Sequence, residues 1–466
     1  MKGLLFIIAL IASCLPMKAA QAQSDIDEES SVRDTTILGV KVKENKTAWD
    51  DYRPEVGFFQ KAFADKSDPR FMITNEDETF MFGIGGKFRI TAFNDVGGAV
   101  NHNKFSSWDI PVPSERASHF GINVASSNLY VKSKIKLGKR FFTAYIGISN
   151  NDENKIELDQ AYASYGGLSI GSTYSFFMDL AAGIHLVDLK GINTAVSKTH
   201  PLIGYTAELG KHWLIGVAAE KPELTIEDLS SINISNEYTP IPDFAMRGVF
   251  KGNWGHLQAS AMLRSLSYWS IDTPIEGLLN LDGSSKYELG YGFSLSGKWN
   301  ITPDFFVTFQ SIYGKGIQNY VRDCSSQKLD LVPCRGDIVH GEQMYKMKTV
   351  PVYGGYVGMQ YKWNNKFSSA AAVGLLNIDL DKYQSLDGIA SKTKDVIAAC
   401  KKLDYRRSSY IVVNTFYHVN DYCTVGLEYL RGSRWQRQRN PVTLNLTGET
   451  DRGDAGRIDL MFSYSF

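Results

Sequence analysis

The chain has 466 residues, with 50 basic and 50 acidic side chains and a formal charge of zero, which excludes the strong basic excess of a nucleic-acid binder. Past Leu15 no apolar run approaches the roughly 20 residues that a membrane-spanning helix needs, so a helical membrane protein is excluded as well. Yet 41 Gly, 24 Tyr and 25 Phe at a mean hydropathy of −0.21 are the composition of a transmembrane β-barrel, where only every second strand residue must be apolar.

The chain opens with a secretory signal over Met1–Ala22. Lys2 is its charged start, Leu4–Leu15 its apolar core and Ala20-Gln21-Ala22 its small-residue cleavage site. Ile11-Ala12-Ser13-Cys14 also fits a lipobox, but Ala-Gln-Ala is the cleaner site. Residues 23–78 are charged, begin with Asp25, Asp27, Glu28 and Glu29, and carry no heptad. They read as a periplasmic extension ahead of a barrel spanning 79–466.

From Thr79 the pattern is strands throughout. Sixteen are predicted: 79–95, 118–136, 141–150, 156–166, 168–179, 200–209, 212–225, 241–253, 255–272, 284–300, 304–321, 348–363, 366–379, 402–419, 422–433 and 455–466. Alternation is clearest in the tenth. There Leu289, Tyr291, Phe293, Leu295 and Trp299 share one face, and Glu288, Gly290, Gly292, Ser294, Ser296 and Lys298 the other. In the last strand Ile458, Leu460, Phe462, Tyr464 and Phe466 face away from Arg457, Asp459, Ser463 and Ser465.

A soluble sandwich alternates too, so the connections decide. Those after even-numbered strands are tight, such as Gly167, Gly210-Lys211, Trp254, Asn364-Asn365 and Asn420-Asp421, and those after odd-numbered strands are long. Such segregation puts every short turn at one end of a closed antiparallel sheet, the outer-membrane arrangement of periplasmic turns and external loops. Trp213, Trp254, Trp299 and Trp363 flank the short turns, and Trp269 and Trp435 lie at the far strand ends. This is the placement of aromatic girdles at two membrane interfaces.

No Gly-x-Ser-x-Gly, glycine-rich phosphate loop or zinc-ligand spacing occurs, and the eight His are scattered singly. The expectation is no enzyme, no cofactor and no metal. Beyond Cys14 the cysteines are Cys324, Cys334, Cys400 and Cys423. In an oxidising compartment Cys324 and Cys334, nine polar-loop residues apart, are the plausible disulfide.

The motif Leu158-x-x-Ala161-Tyr162-x-x-Tyr165-Gly166-Gly167-Leu168-x-x-Gly171-x-Thr173-Tyr174-Ser175-x-x-x-Asp179 resembles the central strand pair of the DcaP-like trimeric outer-membrane porins. The end, Gly426-Leu427-Glu428-Tyr429, Asp454-x-x-Arg457 and Tyr464-Ser465-Phe466, is similar to that family's closing hairpin, and Asp109-Ile110-Pro111 to its first loop. The resemblance implies a sixteen-stranded homotrimer that conducts small, often anionic, solutes. Asp159 stands where the family has a basic residue, and no coiled coil precedes the barrel.

If apolar residues face lipid, their neighbours line the pore. This assigns Lys87, Arg89, Lys132, Lys134, Lys136, Arg247, Lys251, Arg264, Arg457 and Asp459 to the lumen, together with Asp95, Asp243 and Glu428. On the lipid face each such charge would cost about 2–4 kcal/mol at mid-membrane. The ladder Lys132-Lys134-Lys136 would steer anions. The segment 180–199, with Leu180-Ala181-Ala182-Gly183-Ile184-His185-Leu186-Val187-Asp188-Leu189-Lys190, is too apolar for an exposed loop. It is expected to fold inward as a constriction, with His185, Asp188 and Lys190 in the channel. Phe466 is read as part of the signal for the barrel-insertion machinery.

The function that follows is a diffusion channel in the outer membrane of a Gram-negative cell, with membrane lipid and small hydrophilic solutes as partners. Two alternatives stand beside it. One is a ligand transporter for hydrophobic cargo plugged by 23–78, which Phe58, Phe59 and Phe63 favour and the charged lumen opposes. The other is a structural or adhesion barrel, which would need a packed, narrow lumen.

Overall fold

The computed structural model describes residues 35–37, 40–44 and most of 69–466. Isolated positions and the loop stretches 115–117, 152–154, 227–233, 272–282, 340–341, 381–403 and 441–445 lie outside the described residues. So do the signal segment, Phe58, Phe59, Phe63 and Cys400.

Sixteen strands form the barrel: β1 (Phe80–Val96), β2 (Phe120–Asn123 and Asn128–Leu137), β3 (Arg140–Asn150), β4 (Ile156–Tyr165), β5 (Leu168–Tyr174), β6 (Thr199–Leu209), β7 (Trp213–Glu220) and β8 (Asp243–Gly252), then β9 (Gly255–Ile271), β10 (Gly283–Thr302), β11 (Phe305–Lys315), β12 (Pro351–Lys362), β13 (Phe367–Ile378), β14 (Tyr405–His418), β15 (Cys423–Arg439) and β16 (Leu446–Ser465). Each pairs antiparallel with the next, and β16 returns to β1 with Ser465 opposite Lys87 and Arg457 opposite Asp95. Closure leaves no free edge, so every strand backbone is satisfied without water.

Tight turns join β2–β3, β4–β5, β6–β7, β8–β9, β10–β11, β12–β13 and β14–β15, as the connection lengths predict. Gly138, Gly166 and Gly210 turn the chain at φ +64°, +59° and +68°, a region most side chains avoid. Phe466 ends at the same rim, where it exchanges backbone hydrogen bonds with Gly86. A Cβ at Gly86 would lie 2.7 Å from the Phe466 ring, so only glycine admits the terminal aromatic there. Backbone strands Thr35–Ile37, Val40–Glu44 and Phe71–Thr74 form a small antiparallel ribbon, which joins β1 below Phe466 through Met72 opposite Gly83.

Burial is inverted relative to a soluble protein. Ile146, Val217, Leu263, Leu289, Val357, Leu375 and Ile411 are exposed outward, while Arg89, Lys132, Arg264, Lys298 and Arg457 are buried. The outside solvent is therefore hydrocarbon. Trp213, Trp254, Trp299 and Trp363 are exposed beside the tight turns, and Trp213 and Trp363 lie near Phe250 and Tyr361, with ring centroids 4.8 and 4.6 Å apart. An amphipathic ring is most stable at headgroup depth.

Several expectations need correction: β7 stops at Glu220 short of the predicted 225, β15 runs on to Arg439 past 433, and β16 begins at Leu446 ahead of 455. The predicted eleventh strand reaches 321, but β11 stops at Lys315. Gly316 adopts φ +67°, and a 3-10 turn over Gln318–Tyr320 buries Ile317 and Tyr320 in the barrel. The predicted fifth strand reaches 179, but β5 stops at Tyr174. Glu220 accepts hydrogen bonds from the Ser175 hydroxyl (2.8 Å) and the Phe176 N–H (2.7 Å) and turns the chain inward. Finally, Cys324 and Cys334 are thiols and no disulfide joins them. Cys334 is held on a ribbon, Val332–Val339 with Glu342–Lys348, opposite Lys346, whereas the Cys324 thiol lies 3.5 Å from the Gln318 carbonyl. Each is buried in its own element within the packing of the long loop, and the pairing rule from sequence spacing did not see that ribbon.

Candidate functional site: the lumen and the loop that crosses it

Residues 175–198, between β5 and β6, cross the barrel interior. Their apolar side chains are the reason. Phe176, Phe177, Met178, Ala182, Ile184, Val187, Ile192 and Val196 are all buried, an area that would otherwise face water. The inner wall receives the backbone of this loop with polar side chains. Gln258 of β9 donates to the Met178 carbonyl (2.9 Å), and Gln310 of β11 accepts from Val196 N–H (3.2 Å). Tyr356 and Gln360 of β12 bind the Ala182 carbonyl (3.1 Å) and the His185 N–H (3.0 Å). Asn414 of β14 donates to the His185 carbonyl (2.9 Å). Glu428 of β15 accepts from the Val187 and Asp188 N–H groups (2.8 and 2.6 Å), and Arg89 of β1 donates to the Val187 carbonyl. Hydrogen bonds to a charged group contribute about 1.5–3 kcal/mol each and neutral ones about 1.

Close approach needs small residues on that wall. A Cβ at Gly374 would meet Asn193 Oδ1 at 2.3 Å, and one at Gly426 would meet a Val187 methyl at 2.9 Å. The root of the loop is pinned by Asp179, which accepts from Ser296 (2.7 Å) and lies 2.7 Å from His256 Nε2. Burial pushes its carboxyl up, but His256, Ser296 and the Ala181 N–H outweigh that and hold it below the usual carboxylate range.

A second layer covers the same half of the lumen. Arg264 of β9 lies 2.9 Å from Asp243 and 3.1 Å from Asp330, and donates to the carbonyls of Gly316 (2.5 Å) and Glu223 (2.8 Å). All three charged side chains are buried, so the cluster clamps the long loop after β11 onto the wall. Asp323 of that loop binds Ser408 (2.9 Å) and Ser106 (3.1 Å), and burial pushes its carboxyl above the usual range.

The opposite wall is different. On β1–β5 the inward positions Lys87, Tyr130, Lys134, Tyr162, Ser164 and Ser169 are half-exposed beside buried Arg89, Lys132, Tyr145 and Gln160. On β9–β15 the inward positions under the loop are buried, and the half-exposed ones, such as Glu288 and His418, lie toward the strand ends. Three tyrosines form a stacked row across β2, β3 and β4, with centroids of Tyr130–Tyr145 at 5.4 Å and of Tyr145–Tyr162 at 5.3 Å. Asp159 is the extra residue of a bulge in β4, where Gly147 pairs with Gln160 and Ile148 with Leu158. The bulge puts its carboxylate in electrostatic reach of Lys87.

The residues singled out from sequence divide accordingly. Lys87, Lys132 and Lys134 belong to the β1–β5 wall, where Lys132 is buried. Lys136 and Lys251 sit near the tight-turn rim, exposed and half-buried respectively. Arg247, Arg264, Arg457 and Asp459 point inward but are covered: Arg247 lies 3.7 Å over the Phe176 ring, and Arg457 binds Asp95 at 2.6 Å over the Phe93 ring. Arg89 has Asp188, Glu428 and Asp459 as carboxylate neighbours. Asp188 does not hang in the channel. It is buried, accepting from Tyr410, the Phe105 N–H and the Gly191 N–H at 3.2, 3.2 and 2.8 Å. His185 stacks on Phe416 at 3.9 Å, and Lys190 is half-buried. Sequence reading placed Arg89 and Glu428 inward but missed the tyrosine row and the other polar side chains that receive the loop. Both stood on the inward phase of their strands, so the alternation that assigned the charges could have found them. Among the described residues no group of His, Cys, Asp and Glu could hold a metal ion.

Against known proteins, a family model described as porin subfamily matches residues 122–419. No curated protein sequence matches the chain. Among solved structures it is similar to the outer-membrane channel DcaP of Acinetobacter baumannii. The identity is 16%, the TM-score 0.61, and the match covers 84% of this chain and 99% of that one. The anion-selective porin from Comamonas acidovorans aligns at 8% identity and TM-score 0.48, over 83% of this chain and 100% of that one. OmpT of Vibrio cholerae aligns at 9% and 0.47, over 83% and 98%.

Proposed function

The chain belongs to the porin subfamily, diffusion channels of the outer membrane, and from that premise we propose that its solutes pass along the β1–β5 wall. The observation that carries this reading is the group of half-exposed inward side chains Lys87, Tyr130, Lys134, Tyr162, Ser164 and Ser169 on that wall, while loop 175–198 seats its backbone mainly on β9–β15. The loop 175–198 acts as the constriction. It does so by filling the β9–β15 side and so displacing the aqueous path toward Lys87 and Lys134, with Lys132 buried in the same wall. Those lysines, set against Asp159, favour small anionic solutes. The protein acts as a channel and not as an enzyme. Export follows cleavage near Ala22, residues 23–78 form a periplasmic extension of the barrel 79–466, Phe466 is read by the insertion machinery, and the assembly is a homotrimer.

Planar-bilayer recording of the purified protein tests this. Open channels whose reversal potential in a salt gradient favours chloride are expected, and the pair Lys132→Gln and Lys134→Gln should move that potential toward cation preference. No conductance, or a potential unmoved by the pair, overturns the assignment of the path.

A further inference from the structure

Outward-facing arginines interrupt the neutral belt at one place on the barrel. On β14, β15 and β16, Arg407, Trp435 and Arg452 form one cross-strand row, Arg407 opposite Trp435 and Trp435 opposite Arg452. Both guanidiniums lie over the same indole, at 4.4 and 5.0 Å from its centroid. Both arginines are exposed. Arg431 is the next cation below on the same face, level with its cross-strand partner Ile411, and Tyr429 and Val413 form the next outward pair beneath; all three neighbours are exposed and mark the top of the hydrocarbon band. The row thus stands where the membrane core ends at the long-loop side. Trp435 is half-buried, and such a ring prefers that interface. Among the described residues one acid faces the cluster. Asp454 accepts from Nε and Nη2 of Arg452 (3.1 and 2.7 Å) and lies 4.0 Å from Arg431, and the cations outnumber it. On the tenth strand, toward the same end, the outward side chains are Tyr287 and Ser285, which carry no charge.

We propose that the Arg407–Trp435–Arg452 row, with Arg431, is a docking site for the phosphates of an outer-leaflet glycolipid. The proposal rests on the outer-membrane reading and goes beyond it. A guanidinium fork binds phosphate oxygens bidentately; stacking on Trp435 pre-orders that of Arg407, while Asp454 fixes Arg452 through Nε and Nη2 so that Nη1 of Arg452 and the exposed Arg431 complete the site. Below the polar step Ser409–Ser433–Asp454, the exposed Ile411, Val413 and Tyr429 supply a surface for the acyl chains of the same lipid. That coupling of a phosphate site to an apolar strip selects an anchored lipid over a free anion.

The test uses the full-length protein in phosphatidylcholine nanodiscs doped with diphosphorylated lipid A, and native mass spectrometry counts the lipid retained. Wild type should hold lipid A, and the pair Arg407→Gln and Arg452→Gln should weaken retention on the order of ten-fold. Heat-modifiable gel mobility establishes that the variant is folded. Lys366→Gln, at the other rim, should retain lipid as wild type does. Equal retention by the double variant, or equal retention of dephosphorylated lipid A by wild type, overturns the proposal. Displacement of the lipid by inorganic phosphate alone would make this a free-anion site. Loss of oligomer without loss of lipid would make it a subunit contact. Either result also overturns it. Conductance recorded on the same preparation reports separately on the channel reading.

Discussion

The two inner walls of this barrel obey different rules. On β9–β15 the inward Gln258, Gln310, Tyr356, Gln360, Asn414 and Glu428 bond a loop that crosses the lumen, with glycines where the loop backbone comes closest. On β1–β5 the inward Lys87, Lys134, Tyr130 and Tyr162 are half-exposed. One wall is the floor of a packed core and the other is a wetted surface. Charge therefore means different things on the two sides. Arg264 is locked between two buried carboxylates, while Lys134 is half-exposed.

That contrast sets the expected size of each perturbation. Arg264→Ala removes the guanidinium that compensates two buried carboxylates, Asp243 and Asp330, and should cost about 3–5 kcal/mol. Thermal unfolding in detergent should show a clear fall, and an unchanged midpoint would mean that the cluster holds nothing. Glu428→Ala strips two loop N–H groups of their acceptor, with a loss of about 1–3 kcal/mol. Single-channel traces should become noisier and reach a higher conductance as the loop lifts. A quiet channel of wild-type size would show that Glu428 is dispensable to the loop's seating. Gly374→Val should have a related effect by steric push on Asn193. Lys134→Gln should leave stability within about 0.5 kcal/mol, as for an ordinary surface change, and alter ion selectivity alone. A stability loss comparable to that of Arg264→Ala would erase the distinction between the walls.

Much of this was legible in the sequence, and the reason is the period of two. A strand in lipid must be apolar at every second position, so strand count, turn placement and the inward phase of Arg89, Lys132 and Asp459 all followed from alternation and connection length. The apolar character of 180–199 foretold that it folds inward. What alternation cannot convey is which inward residues touch water. That depends on where the loop lies, and its course is set by contacts far apart in sequence, such as Glu428 with Val187 and Asp188. Asp188 and Arg264 were therefore read as channel residues although both are buried. Cys324 and Cys334 failed for a related reason: spacing along a loop is not distance once that loop contains its own ribbon.

The central claim, a lumen half filled and half open, is tested most directly by thiol accessibility in single channels. In a background with the native cysteines replaced by serine, single cysteines would be placed at Lys87, Lys134 and Tyr162 on one wall and at Ser294, Gln310 and Asn414 on the other. A charged methanethiosulfonate reagent is then added during recording. The account predicts stepwise loss of current at the first three positions and none at the second three. Equal modification of both sets, or current loss confined to Ser294, Gln310 and Asn414, would contradict it.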